Sequence, residues 1–382
     1  MSEETLSVEV VEGVEAIDPE QWDRLLDAAS SPFVEHRFLA SLERAGVLGA
    51  DNGWVPRFPV VKKEGVVVAA APAYVKFHSM GEFVFDHSWA SFAERAGLRY
   101  YPKLLVGVPF TPVTGARLLT HPDEDRDLLL GVLGGVLVEM CRAFELSSVH
   151  VNFARPDEIE ALERGGFMVR HGIQYHWYRH DEEGFDAYLA RFKSKRRNQI
   201  KREVRETEKQ GVTIRTLTGD ELTPDLAPTA YRIYRSTVDK LVWGRRYLEQ
   251  EVFEEWFRTM KERVELVIAE KDERIIAGAV NFAKNGRLYG RYWGCFEELR
   301  HLHFNVCYYH GIQRAFERGY DVFEPGAGGE HKLVRCFEPT VMKSAHLIRE
   351  PALHEAIGNY LESERVAVER EREMMLEELG LR

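Results

Sequence analysis

The sequence has few cysteines, and they form no motif. Cys141, Cys295, Cys307 and Cys336 stand far apart in a chain of 382 residues, and no CxxC pair occurs. A chain of this length can bury a large core without disulfides or structural metals. We therefore expect a protein of a reducing compartment that binds no metal.

Long apolar runs and a secretory leader are also missing. The first residues, MSEETLSVEVVEGVEAI, are acidic where a signal peptide is basic, and they contain no apolar core. The longest apolar-looking stretch, Leu128 to Val138, is far shorter than the roughly 20 residues that span a bilayer. These absences predict a soluble, cytoplasmic protein.

Basic residues are fewer than acidic residues over the chain as a whole. The 51 lysines and arginines are outnumbered by 62 acidic residues, which gives a net charge of −11. A protein that binds nucleic acid over its whole surface would be basic, so only a local basic patch is compatible with this total. At roughly 150 residues per domain, the length predicts about two domains.

Several catalytic motifs are absent as well. The sequence contains no GxSxG elbow, no GxGxxG after a predicted strand, no GxxxxGK[ST] phosphate loop and no HExxH metal motif. These absences disfavour a covalent hydrolase, a dinucleotide oxidoreductase and a metalloenzyme.

What the sequence does contain is a pattern of predicted elements that occurs twice, the copies about 170 to 180 residues apart. The order is helix, strand, loop, short helix and strand. The first copy covers 126–178 and the second covers 305–347. Such a repeat predicts two α/β units in tandem.

A basic segment opens the second unit. Between residues 191 and 209, nine basic residues accompany three acidic ones. On a helix predicted over Phe185–Gln210, spacings of three and four place one polar stripe on a single face: Arg191, Lys195, Asn198, Arg202, Arg205 and Lys209. Such a stripe suits a phosphate-rich ligand. Arg196 interrupts the apolar face opposite, where a half-buried arginine requires an anionic partner.

A glycine-rich segment, FEPGAGGEHKLVR, follows a strand that ends at Glu324. Gly326 and Gly329 allow the backbone to approach a ligand closely. The candidates for proton transfer are Glu324, Glu330 and His331. The candidates for binding an anionic substrate group are Lys332 and Arg335.

Aromatic residues mark two further segments, each of which is either packed core or the wall of a binding site. Period-two alternation places Tyr289, Arg291 and Trp293 on one face of a strand, which predicts a lined cleft. The stretch from Tyr74 to Gly115 is dense in rings and includes His87, as expected of a substrate wall.

Several segments together resemble a known family. The run KRRNQI at 195–200, with Gly211-Val212 after it, resembles the SK-R-N-I…A-x-x-x-G-V segment of FemAB-like aminoacyl transferases. The stretches FDHSW, VPFTPVTG, YWGC and FEPGAGGEHK look like a bacterial group of N-acyltransferases related to them. The likeness covers most of residues 20 to 350.

The resemblance implies an α/β (α+β) fold of tandem duplicated GNAT-like units, with mixed sheets flanked by helices. We expect an N-terminal lobe over 1–178, a C-terminal lobe over 179–349 with the basic helix 185–210, and a charged helix over 350–382. The implied activity is transfer of an activated acyl or aminoacyl group to an amine.

Two donors agree with this resemblance, acyl-CoA and aminoacyl-tRNA. GNAT enzymes that use CoA usually carry Q/R-x-x-G-x-G/A, and the corresponding stretch from Gly294 to Asn305 lacks those glycines. The basic helix favours a tRNA acceptor arm as partner, with Asn305 among the donor-binding residues. We expect no cofactor beyond the donor, and an amine-bearing small molecule or peptide as acceptor. The alternatives are a CoA-dependent N-acetyltransferase and a non-catalytic binding protein on the same fold.

Overall fold

A computed structural model describes residues 6–240 and 246–379. The chain divides into two units, one made of residues 1–173 and 341–371 and the other of residues 174–340 and 372–382. The lobes expected from the sequence were continuous and met at 178/179. The units instead take segments from two parts of the chain. Residues 1–5 of the expected N-terminal lobe, 241–245 of the expected C-terminal lobe and 380–382 of the expected charged helix lie outside the described ranges.

The helices and strands of the first unit alternate along the chain. The helices are α1 (Pro19–Asp23), α2 (His36–Arg44), α3 (His87–Arg95), α4 (Arg126–Ala143) and α5 (Pro156–Arg164). The strands are β1 (Leu6–Val11), β2 (Trp54–Pro56), β3 (Phe58–Lys63), β4 (Val66–Ala70), β5 (Ala73–Lys76), β6 (Lys103–Val106), β7 (Leu119–Thr120) and β8 (Ser148–Val151). Strand β9 (Met168–Tyr178) continues from this unit into the second.

The second unit opens with helices and continues with an antiparallel meander. Its helices are α6 (Phe185–Ala190), α7 (Ser194–Lys209), α8 (Ala227–Val238), α9 (Gln250–Thr259), α10 (Leu302–Phe304) and α11 (His310–Arg318), with a π-helical turn at Asn305–Tyr309. Its strands are β10 (Thr213–Thr218), β11 (Val264–Lys271), β12 (Arg274–Lys284), β13 (Arg287–Cys295) and β14 (Val322–Glu324). Strand β15 (Glu338–Ile348) and helix α12 (Pro351–Leu379) complete the chain.

Both units combine antiparallel strands with one parallel pair. In the first unit, β6 pairs in parallel with β8, and β8 pairs antiparallel with the end of β15. In the second, β13 pairs in parallel with β14, and β14 pairs antiparallel with Trp177 and Tyr178 of β9. A parallel pair needs a crossover, which α4 supplies in one unit and the 302–318 helix in the other. The expected α/β (α+β) fold of two units, with mixed sheets flanked by helices, is confirmed.

The apolar stretch around Leu128 to Val138 belongs to α4. Leu129, Leu133 and Leu137 recur every four residues and are buried in the same cluster as Val149 and Val151 of β8. The helix begins where Asp125 accepts a hydrogen bond from the Leu128 amide at 3.1 Å. Within the described ranges, no helix is long and apolar enough to cross a membrane.

Two hairpins of the second unit are closed by two-residue turns whose residues all have positive φ. Asp272-Glu273 joins β11 to β12, and Asn285-Gly286 joins β12 to β13, with all four residues at positive φ. Two-residue turns of this kind match the twist of the strands they connect. The Asn-Gly dipeptide is a strong local signal for such a turn.

The helix predicted over Phe185–Gln210 is instead two helices. Helix α6 ends at Ala190 and α7 begins at Ser194. Arg191 therefore leaves the predicted stripe, and its side chain pairs with Glu182 at 3.3 Å and with Glu338 at 3.2 Å.

Candidate functional site

The parallel strands β13 and β14 separate at the point where the glycine-rich segment begins. Their pairing ends at Tyr289 and Glu324, whereas β13 continues along β12 as far as Cys295. A Cβ atom on Gly290 would lie 3.2 Å from the Cα atom of Pro325, so the glycine permits this close approach. Beyond Tyr289, no strand of the described chain pairs with this side of β13. From Gly290 onward this side of β13 is therefore an open edge, in the sense that no described strand pairs with it.

A β-bulge distorts β13 at this opening. Val280 pairs with Tyr292 and Asn281 with Gly290, so Arg291 is the extra residue on its strand. The bulge reverses the alternation, and Tyr289 and Trp293 point to opposite faces. Trp293 packs on His303, with 5.1 Å between ring centroids, whereas Tyr289 stands opposite Phe282, whose ring packs on Trp256. The single face predicted for Tyr289, Arg291 and Trp293 is therefore wrong, because period-two reasoning fails across a bulge.

A buried polar cluster lies at the end of β14. Glu324 is 3% exposed, and its Oε1 accepts a hydrogen bond from Arg287 Nη2 at 2.5 Å. Its Oε2 lies 3.7 Å from His176 Nε2 and has no hydrogen-bond partner among the described residues. Burial lowers the pKa of His176 although the Glu324 charge opposes this, so the imidazole is neutral near pH 7.

The glycine-rich segment folds over the ammonium group of Lys332. Gly326 and Gly329 have φ values of 88° and 90°, a region that favours glycine. Lys332 is 3% exposed, and its Nζ donates to the Gly326 carbonyl at 2.6 Å. Burial lowers the pKa of this amine to about 8, and the Lys332 charge in turn helps to lower the pKa of His176. The Lys332 ammonium is therefore close enough to the Glu324 cluster to influence the pKa of His176.

The other two proton-transfer candidates differ in their surroundings. His331 lies at the surface and shares a hydrogen bond of 2.8 Å with the Tyr308 hydroxyl. Partial burial and then the charges of Arg335 and Lys332 lower the pKa of His331, which leaves it neutral and able to accept a proton. Glu330 is exposed and has no hydrogen bond or ion pair with any described residue.

Arg335 is bound by the protein itself. Its guanidinium donates to Tyr309 Oη at 3.0 Å, to the His331 carbonyl at 2.8 Å and to Glu203 Oε2 at 3.3 Å. The same guanidinium stacks 3.6 Å from the centroid of the Phe304 ring. Glu203 belongs to α7, so this ion pair fastens the basic helix to the turn that carries Lys332.

Asn305 fastens α7 at a second point. Its Nδ2 lies within hydrogen-bond distance of the Glu203 carbonyl at 3.1 Å, the Thr207 hydroxyl at 2.9 Å and the His301 carbonyl at 2.9 Å. The residue opens the π-helical turn, a feature often found at functional sites. In this structure its amide holds two helices together.

The opposite side of α7 faces solvent. Its members Lys195, Asn198, Arg202, Arg205 and Lys209 are exposed, and none forms a side-chain hydrogen bond or ion pair with a described residue. Arg196 points the other way and donates to the Val334 carbonyl at 2.8 Å. The basic helix thus has a free polar stripe and a side that is bonded to the site.

Comparison with known protein families identifies the family of this chain. A family model named FemAB-like and described as peptidoglycan biosynthesis/recognition matches residues 13–382. The chain belongs to the FemAB-like family. No curated protein matches the sequence.

Solved structures share the fold of this FemAB-like chain at low identity. A crystal structure of FemX is 13% identical with a TM-score of 0.52, over 92% of this chain and 100% of that one. The C-terminal domain of a lysylphosphatidylglycerol synthetase described as putative, from Agrobacterium fabrum, is 12% identical with a TM-score of 0.54, over 90% and 96%. L-PGS from Bacillus licheniformis is 11% identical with a TM-score of 0.50, over 91% and 97%.

The FemAB-like chain is an acyltransferase, and most of the predicted site residues lie in its second unit. Glu324 and the Gly326 carbonyl that Lys332 binds lie where β13 and β14 separate, and Trp293 lies on β13 beyond the bulge. His331 belongs to the same glycine-rich segment and is bonded to Tyr308. His87 is exposed at the start of α3 in the first unit, where its ring lies 6.3 Å from that of Phe85. Among residues 6–240 and 246–379, no group of three His, Cys, Asp or Glu side chains is placed to hold a metal ion.

Sequence reasoning missed the partners that complete the site: His176, Arg287, Glu203, Tyr308 and Tyr309. His176 lies in strand β9, and a single histidine in a strand gives little indication in the sequence that it belongs to a functional site. Glu203 looked like one more charge on a solvated helix. A buried carboxylate at such a position becomes evident only when the arginine it binds, 132 residues away, is located.

Proposed function

We propose that this FemAB-like enzyme transfers an aminoacyl group from aminoacyl-tRNA to an amine of a peptidoglycan precursor. The observation that carries the proposal is the exposed basic stripe on helix α7. The buried side of the same helix is bonded to the glycine-rich segment through the ion pair between Glu203 and Arg335. The acceptor is inferred from the family description.

The length of the stripe supports a nucleic-acid ligand. From Lys195 to Lys209 the helix advances about 21 Å at 1.5 Å per residue. A nucleic-acid strand presents a phosphate about every 3.4 Å, so about six phosphates pass along this length. Four basic side chains and Asn198 line it.

A contact of α7 argues against CoA as the donor. The segment before the 302–318 helix lacks the glycines that would cradle a pyrophosphate. Glu206 of α7 contacts this segment instead, with Oε1 3.2 Å from Arg300 Nη1 and Oε2 3.5 Å from His301 Nε2. A carboxylate beside a helix start competes with an anionic ligand there.

The site contains the groups that aminoacyl transfer needs. The amine nitrogen attacks the ester carbonyl carbon, and the carbon–oxygen bond to the tRNA ribose breaks. In our proposal Glu324, held by Arg287 and next to neutral His176, takes the proton that the amine loses, and the proton then passes to the departing ribose hydroxyl. The Lys332 ammonium stabilises the negative charge that develops on the carbonyl oxygen.

Binding of unfractionated tRNA tests the donor. The double variant Lys195→Gln/Arg202→Gln should bind at least tenfold more weakly at 0.1 M salt, and the slope of log Kd against log salt should fall by about two. Arg95→Gln/Arg370→Gln removes the same charge from exposed positions that form no ion pair with a described residue, and this variant should bind as the wild type does. Equal binding by both variants, or a thermal shift with acetyl-CoA alone, would refute the tRNA donor.

Transfer of labelled amino acid from tRNA to a precursor peptide tests the chemistry. Glu324→Gln should lower turnover by about 10²- to 10⁴-fold, the usual contribution of a general base, with tRNA affinity unchanged. His331→Ala should have a smaller effect. Wild-type turnover in Glu324→Gln would assign proton transfer to the substrate itself.

A further inference from the structure

The second unit contains a cavity of about 220 Å³ that the reaction mechanism does not use. It lies where α6 and α7 meet, beside the turn that follows Lys332. Its walls are formed by Arg191, Phe192, Lys193, Arg196, Leu333, Val334, Cys336, Glu378 and Leu379.

Arg196 is the unusual member of this wall. Its guanidinium donates to the Val334 carbonyl and to Gln199 Oε1, both at 2.8 Å. No carboxylate of the described chain forms an ion pair with it, and its buried Nη2 has no acceptor there. A partly buried arginine without an anion is costly, so the position favours a ligand that brings negative charge.

Three of the side chains that line the cavity are cations, Arg191, Lys193 and Arg196, and one is a carboxylate, Glu378. Arg191 is balanced by Glu182 and Glu338, yet its buried Nη1 also has no acceptor within the described ranges. Lys193 is exposed and forms no ion pair with a described residue. Glu378 forms the opposite wall and pairs with none of these cations among the described residues.

The remaining walls are apolar, which restricts the ligand further. Phe192 is 8% exposed and Leu333 is 7% exposed. The cavity is smaller than the 300–1,000 Å³ or so that holds a drug-sized ligand. It suits one anionic group together with a single flat ring.

We infer that this cavity binds one nucleotide of the donor's single-stranded end, with the phosphate on Arg196 and Lys193 and the base against Phe192 and Leu333. The inference rests on the proposed tRNA donor. The inference also agrees with the path proposed for the tRNA backbone along α7, because the exposed stripe begins at Lys195, next to Arg196. Stacking of a base on an aromatic side chain adds affinity without requiring a sequence.

Titration calorimetry with AMP, inorganic phosphate and adenosine tests the cavity. Wild-type protein should bind AMP at least tenfold more tightly than either fragment. Arg196→Gln should weaken AMP binding tenfold or more, and Arg196→Lys should weaken it less. Arg197→Gln removes the same charge from the next residue, whose side chain bonds Ser194 and does not line the cavity, and should bind AMP normally.

The same variants separate this inference from the proposed function. Arg196→Gln should also weaken tRNA binding, and Arg197→Gln should not. If tRNA binding depends on Lys195 and Arg202 but both position-196 variants bind AMP and tRNA like the wild type, with unchanged melting temperatures, the cavity assignment is overturned and the donor stands. If AMP binds through Arg196 but tRNA does not bind at all, the donor proposal fails and the assignment of this cavity to the donor's end fails with it.

Discussion

At the scale of single residues, Glu203 joins the binding surface to the reaction site. Its carboxylate is 3% exposed and accepts hydrogen bonds from Gln199, Tyr309 and Arg335. Burial by itself would raise the pKa of Glu203, but the Tyr309 hydrogen bond and the Arg335 charge hold it below the ordinary value. The carboxylate is therefore ionised in the folded enzyme at neutral pH, and it fixes the orientation of Arg335.

We predict that Glu203→Gln destabilises the protein by about 3–5 kcal/mol, because Arg335 remains buried without a counter-charge. Denaturant unfolding at pH 7 measures this. The folded-state pKa is depressed, so the stabilisation is present above the unfolded pKa and is lost as pH falls through the folded one. The difference from wild type should accordingly shrink on acidification. Glu208→Gln, exposed on the same helix, should change stability by less than about 0.5 kcal/mol.

Lys332 predicts a dependence of the same sign in an alkaline pH window. Its pKa is lowered from 10.5 to about 8, so the folded protein binds fewer protons than the unfolded chain between these values. Below pH 8 the buried ammonium costs stability in full, and the cost disappears as pH rises toward 10.5. Relative to Lys332→Met, the wild type should gain on the order of 3 kcal/mol across this window. Lys195→Met, at an exposed position, should show a constant difference in unfolding free energy. A constant difference for Lys332→Met too would disprove the depressed pKa.

At the scale of elements, the packing of α8 against β13 supports the open edge. Gly294 lies directly beneath α8, and a Cβ atom there would overlap the Ile233 carbonyl oxygen and the Ser236 hydroxyl. The glycine is needed because two backbones meet, and its φ is not in the left-handed region. This contact holds the segment of β13 that follows the bulge.

We predict that Gly294→Ala destabilises the protein by at least the 1–3 kcal/mol or so that is typical of overpacking. The neighbour is helix backbone, which cannot move aside as a side chain does. Gly172→Ala provides the control, because a Cβ atom on Gly172 meets no atom within 4 Å. Thermal unfolding should show a clear fall in Tm for the first variant and almost none for the second. Equal melting temperatures would mean that α8 does not constrain this strand.

At the scale of the whole molecule, the last strand of each repeat begins in one unit and ends in the other: β9 runs from the first unit into the second, and β15 runs from the second into the first. Ala345 to Ile348 of β15 pair with β8 in the first unit, where His346 and His150 are joined through their Nδ1 atoms at 2.7 Å. The start of α12 packs in the same unit: Leu353, Ile357 and Leu361 form a cluster with Trp89, Ala93, Tyr100 and Ile348.

We predict that a fragment of residues 1–178 does not fold stably, although the sequence pattern suggested a lobe with these limits. The fragment would expose the edge of β8 and the Trp89 cluster to water. Joining residues 1–173 to 341–371 through a flexible linker should restore a protease-resistant monomer. Limited proteolysis and size-exclusion chromatography compare the two fragments. A stable 1–178 fragment would show that β15 is dispensable to this unit.

The sequence by itself determined the features that arise from neighbouring residues. Local spacing was enough for the Asn285-Gly286 hairpin, for the repeated order of elements and for the stripe on α7 apart from Arg191. The motifs at 195–200 and 323–332 were enough for the family. Only the tertiary structure decided the contents of the site. Glu324 with His176, Glu203 with Arg335 and β15 with β8 are partners from distant parts of the chain, and charge and burial depend on which groups folding brings together. The bulge at Arg291 was also decided by the tertiary structure, because the pairing of β13 with β12 sets its register.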